Sequence, residues 1–84
     1  IGQAVAVEPK LIYVIQVGAF SKEANAKKLA AKLNAQGYNT FLAEAVSGKN
    51  KIFKVRVGNY YSLQEARQAQ KKLDNEGYPT KIIP

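Results

Sequence analysis

A chain of 84 residues with no cysteine and no histidine is one domain with a small apolar core, and neither a disulfide nor a thiolate or imidazole metal site supplements it. The same two absences exclude Ser-His-Asp and Cys-His nucleophilic catalysis. Thirteen Lys and Arg against six Asp and Glu, a formal charge of +7, favour a partner carrying phosphates or carboxylates, and no apolar run is long enough to span a membrane.

Residues 1–10 mix Ala, Val, Gly and Pro9 without a sustained period, as an interdomain linker or cloning remnant does, and lack the charged start and long apolar centre of a signal peptide. The chain is expected to be a module of a longer parent, with the domain itself spanning 11–84. Leu11 to Val17 alternates as a first strand closed by Gly18, and Ser21 is placed to cap a helix. Ala26, Leu29, Ala30 and Leu33 recur at the three-and-four spacing of that helix, which Gly37 ends. Asn39 to Val46 reads as a second strand, Ser47 to Lys51 as a polar turn, and Ile52 to Val57 as a third strand forming a hairpin with the second. Ser62-Leu63-Gln64-Glu65 is a capping box opening a second helix, whose buried stripe is Leu63, Ala66, Ala69 and Leu73 and whose end is Gly77. Pro79 to Ile83 is a short last strand, with Pro79, Lys81 and Pro84 suited to an edge.

Tyr13-Val14-Ile15-Gln16-Val17-Gly18-Ala19-Phe20 returns forty positions later as Phe53-Lys54-Val55-Arg56-Val57-Gly58-Asn59-Tyr60. Over the wider repeat, Val17/Val57, Gly18/Gly58, Ala26/Ala66, Lys32/Lys72, Leu33/Leu73, Gly37/Gly77, Tyr38/Tyr78 and Thr40/Thr80 are identical pairs. Two copies are too few for a solenoid. The element order is β-α-β-β-α-β, and right-handed crossovers make this an α+β, RNP/ferredoxin-like fold: a four-stranded antiparallel sheet, first and third strands central, with both helices on one face.

The other face of the sheet is left bare. Strand alternation assigns to it Val14, Gln16, Ile52, Lys54 and Arg56, with Ile82 from the last strand. A solvated sheet face carries polar and β-branched residues without any function. Enzymatic readings find no paired acid and base: Glu23 and Glu65 sit in first helical turns, where the helix dipole favours them, and Asp74 and Glu76 lie near a helix end. Gly18 and Gly58 follow strands but lack the surroundings of a phosphate-binding loop.

The aromatic-x-V-(Q/R)-V-G-x-aromatic repeat, with Ala26, Leu29 and Leu33, Gly37-Tyr38 and Gly77-Tyr78-Pro79, resembles a SPOR (sporulation-related) domain over nearly the whole chain after Leu11. What the resemblance implies is a non-catalytic module of the bacterial cell envelope. It would bind peptidoglycan, in particular glycan strands stripped of their stem peptides, and carry a parent cell-wall, division or sporulation protein to the wall or septum.

The family's glycan-binding positions on the helix-free face carry over to Gln16, Ile52, Lys54 and Ile82; Val14 and Arg56 are added from alternation. The residue after the first glycine is often serine in the family but is Ala19 here, which cannot hydrogen-bond a sugar hydroxyl. The position of Ile52 is aromatic in some members, whereas isoleucine offers only dispersion and dehydration. No cofactor, nucleic-acid partner or membrane contact by this domain is expected, and the domain is expected to be a monomer. The rival reading is an RNA-recognition-like binder of single-stranded nucleic acid, which shares the topology but requires outward aromatics on the central strands. Tyr13 and Phe53 share the strand phase of the core residues and are expected to face the helices.

Overall fold

The two strands of the repeated motif lie side by side at the centre of one antiparallel sheet. The computed structural model describes residues 12–83, so the linker expected over 1–10, together with Leu11 and Pro84, lies outside the described residues. The elements are β1 (Tyr13–Phe20), α1 (Glu23–Ala35), β2 (Thr40–Ser47), β3 (Asn50–Tyr60), α2 (Leu63–Asn75) and β4 (Lys81–Ile83). The sheet order is β2-β3-β1-β4, as the repeat predicts.

Ile15, Val17, Phe53, Val55 and Val57 form one buried cluster with Ala26, Ala30 and Leu33 of α1 and Leu73 of α2. Both helices therefore pack on the same face of the sheet. The stripe predicted for α2 needs one correction: Ala66 and Leu73 are fully buried and Ala69 packs against the cluster, but Leu63 is exposed. As the first helical residue it lies beyond the edge of the core.

The helix starts differ. Ser62 Oγ accepts from the Glu65 N–H at 3.1 Å, the first half of the predicted capping box. At α1 the cap residue is Lys22, one position after the predicted Ser21, and it makes no side-chain cap bond. The helix ends are alike. Gly37 and Gly77 take φ of 98° and 92°, and the Tyr38 and Tyr78 N–H groups reach back to the Leu33 and Leu73 carbonyls at 3.1 and 3.2 Å, the bond pattern of a Schellman motif.

β1 does not end at Gly18. Gln16 pairs with Arg56 and Gly18 with Val55, so Val17 is an extra residue on β1, a bulge that turns both Val17 and Gly18 toward the helices. A side chain at Gly18 would place its Cβ 2.9 Å from Phe20 Cε2 and 3.2 Å from Leu29 Cδ2. An opposite irregularity lies between the pairs Tyr13/Tyr60 and Ile15/Val57, where β3 carries the extra residue, and there a Cβ on Gly58 would meet Val14 Cγ1 at 2.8 Å. The repeated glycines are thus sites of close approach inside continuous strands, which is why β1 and β3 run to Phe20 and Tyr60. The hairpin is also tighter than predicted: Ser47 pairs with Asn50, leaving Gly48 (φ 63°) and Lys49 as a two-residue loop.

Candidate functional site

The sheet face away from the helices is built by alternation from all four strands. On β3, Phe53, Val55 and Val57 are buried, so Ile52, Lys54 and Arg56 point the other way. Register then fixes their neighbours: Ala45 beside Ile52, Ala43 beside Lys54 and Phe41 beside Arg56 on β2, with Ala19 beside Lys54 and Gln16 beside Arg56 on β1. Val14 lies further along β1, opposite Ile83. Five of the six predicted residues, Val14, Gln16, Ile52, Lys54 and Arg56, are brought together on this face.

Ile82 is not. It pairs with Ile15, which is fully buried, and packs against the core. β4 starts at Lys81 rather than Pro79, and its pairing with β1 turns Lys81 and Ile83 to the open face beside Gln16 and Val14. A three-residue strand is too short for its alternation to reveal its phase from sequence, so only the pairing decides it.

Phe41 also lies on this face, beside Arg56. It is 36% exposed, while its strand neighbours Thr40 and Leu42 pair with the core residues Val57 and Val55. The alternation of Thr40-Phe41-Leu42-Ala43 carries a signal for it: once Leu42 is placed inward, Phe41 must face out.

The two faces differ in where their carboxylates lie. Lys54, Arg56 and Lys81 lie on the open one. Glu23 and Glu65 are on the helices, Asp74 and Glu76 on or just after α2, and Glu44 pairs with the core residue Phe53, so among the described residues no carboxylate shares the face with the three cations. The Arg56 Nε is buried without a hydrogen-bond partner, although a guanidinium is a donor at every nitrogen.

β4 pairs only with Val14, Ile15 and Gln16, which leaves the β1 edge beyond Gln16 uncovered. A shallow cleft opens there, lined by Gln16, Gly18, Ala19, Pro79, Thr80 and Lys81. The Thr80 hydroxyl donates to Asp74 Oδ1, which leaves the Gln16 amide and the Lys81 ammonium to suit a neutral polar or anionic ligand.

The remaining polar cluster belongs to the helix side. The Tyr38 hydroxyl donates to Glu76 Oε2 at 2.7 Å, Lys72 Nζ stands 5.7 Å from the Tyr38 ring centroid, and Lys32 Nζ stands 5.8 Å from that of Tyr78. Burial and the Glu76 carboxylate push the Tyr38 phenol up to about 12. These contacts tie the two halves of the repeat together and point away from the open face.

The profile of the SPOR domain family matches residues 12–84. Two solved structures are similar. One is the SPOR domain of RlpA from Pseudomonas aeruginosa, at 25% identity and a TM-score of 0.75, with 87% of this chain and 97% of that one covered. The other is the peptidoglycan binding domain of the B. subtilis cell wall lytic enzyme CwlC, at 25% identity and a TM-score of 0.73, with 95% and 96% covered. No curated protein matches.

Proposed function

The chain belongs to the SPOR domain family, and on that premise we propose that it binds peptidoglycan through the helix-free face of its sheet, without catalysing a reaction. The observation that carries the reading is a face without carboxylates among the described residues: Lys54, Arg56 and Lys81 share it with the amide of Gln16 and with apolar Val14, Ile52 and Ile83. A glycan strand offers what this mixture recognises. Its N-acetyl groups both donate and accept, matching Gln16, and its ring faces are apolar enough to cover Ile52 and Val14.

The preferred form is the strand without stem peptides. Cleaving the lactyl amide that holds a stem peptide leaves a carboxylate on each muramic sugar, and Arg56, Lys54 and Lys81 are the cations on this face that can receive it in charge-assisted hydrogen bonds. Within a longer protein the domain would then bring its parent to wall that an amidase has already worked on, outside the cytoplasmic membrane.

Retention on purified sacculi against retention on immobilised single-stranded RNA tests the reading. A basic face with an exposed ring is also the equipment of a single-strand nucleic-acid binder, but the central strands direct Phe53 into the core and pack Phe20 and Tyr60 against it. Retention on sacculi is expected, with none on RNA at physiological salt. Retention on RNA alone overturns the proposal.

A further inference from the structure

Four residues from four strands stand in one line across the open face. Phe41 on β2 pairs with Arg56 on β3, Arg56 with Gln16 on β1, and Gln16 with Lys81 on β4. We infer that a glycan strand crosses the sheet along this line, at right angles to the β-strands, and that Phe41 is the ring on which a sugar stacks. The inference rests on the peptidoglycan-binding reading above and adds the direction of the ligand and the specificity-determining residues at its two ends.

Three features favour this path over one running along the strands. Phe41 is the exposed ring on this face, and the outward positions following it on β2 are Ala43 and Ala45, so the ring stands above its own strand. A path along β2 would leave it at once; a path along β3, over Ile52, Lys54 and Arg56, would pass it only at its Cα partner Arg56. The line also ends, at Gln16 and Lys81, in the cleft left by the short β4. Finally, Arg56 and Lys81 are separated by two strand spacings, roughly 10 Å. That separation is close to one disaccharide unit of the glycan, and the lactyl carboxylate recurs once per disaccharide, so each cation meets one carboxylate while Gln16 between them faces the intervening sugar. Apolar contact at Phe41 supplies the stacking that isoleucine at position 52 cannot.

The test uses the 84-residue chain and denuded glycan oligosaccharides, released by amidase digestion and sized into single disaccharides and longer chains, with binding followed by backbone amide shifts. Phe41→Ile keeps strand propensity and removes the ring; Phe41→Tyr keeps the ring. Expected are shifts concentrated at Phe41, Arg56, Gln16 and Lys81, an affinity for the longer chains about tenfold lower in Phe41→Ile, the scale of one good aromatic contact, and near-parental affinity in Phe41→Tyr. Lys81→Gln should weaken the longer chains several-fold while leaving the single disaccharide nearly unchanged. If the parent binds but Phe41→Ile binds equally well, or if the shifts follow Ile52, Lys54 and Ala19 without Phe41 and Lys81, the crossing path is wrong and the binding face stands. If the parent binds neither oligosaccharides nor sacculi, the binding reading itself fails. Should Phe41→Ile not fold, the parent's shift map alone decides between the two paths.

Discussion

Gln16 and Arg56 are Cα partners across β1 and β3, on the face of the sheet that neither helix covers. Directly opposite residues of an antiparallel pair hold their Cβ atoms about 5 Å apart, so an amide and a guanidinium stand side by side where one ligand can reach both. This is also the last pair before the Val17 bulge, and rigid core neighbours, Ile15 and Val57, hold it in place.

The first prediction concerns that pair. Gln16→Ala and Arg56→Ala are each expected to weaken binding of denuded glycan several-fold, and the double variant to lose less than the two single effects combined, because both groups serve one site. Arg56→Lys should not restore binding, since a lysine cannot reproduce a bidentate carboxylate contact. Titration calorimetry on the four proteins measures the coupling; additive losses would show that the two side chains act independently rather than on one bound sugar unit.

A second prediction separates the buried leucines from the exposed one. Leu33 and Leu73 are fully buried, and replacing either by Ala is expected to cost about 2–5 kcal/mol, much of the stability of so small a domain. Leu63→Ala should cost under about 0.5 kcal/mol, as for an ordinary surface change. Denaturant midpoints of the three variants give the ordering directly.

The glycines of the repeat give a third. Gly58→Ala puts a Cβ 2.8 Å from Val14 Cγ1, and Gly18→Ala puts one 2.9 Å from Phe20 Cε2 and 3.2 Å from Leu29 Cδ2. Overpacking of this kind costs about 1–3 kcal/mol. Combining Gly58→Ala with Val14→Ala should recover most of the loss, and failure to do so would show that the clash is not what the glycine avoids.

The repeat made the fold legible because its identities fall on core and cap positions: Leu33 and Leu73, Val17 and Val57, Gly37 and Gly77. Those residues do the same work in both copies, so periodicity and caps sufficed to predict the sheet order and the placement of the helices. Gly18 was misread as a strand end because a bulge glycine and a terminal glycine look alike in sequence; the distinction lies in the neighbouring Phe20 and Leu29 side chains. The composition of the open face was legible on the long central strands, where alternation has enough residues to declare its phase. It failed on β4, whose three residues take their phase from pairing with Val14, Ile15 and Gln16. Phe41 lies just outside the repeat, on the edge strand β2, so the matched identities do not point to it.

The fourth prediction is a pH dependence. The folded phenol of Tyr38 ionises at about 12 rather than the ordinary 10.0, through burial and the Glu76 carboxylate. A group whose folded value is raised favours the folded state fully below its unfolded value, so this contribution is present up to about pH 10 and disappears as pH rises toward 12. Ultraviolet titration of the folded domain should therefore show a late-ionising tyrosine that is absent in Tyr38→Phe. Tyr60, raised by burial, contributes a second delayed step that survives the substitution.

The central claim is that the open face reads the glycan strand, carboxylate included, and not charge in general. The most direct measurement compares retention of the parent domain and Gln16→Ala, both shown folded by circular dichroism, on amidase-treated and untreated sacculi at low and high salt. The parent should be retained more on treated sacculi and lose only part of that retention at high salt, because a few charges are engaged beside uncharged sugar contacts, while Gln16→Ala is retained less throughout. Equal retention of the two proteins on both kinds of sacculi, or loss of several decades of affinity over a modest salt range as many counterions are released, would contradict it.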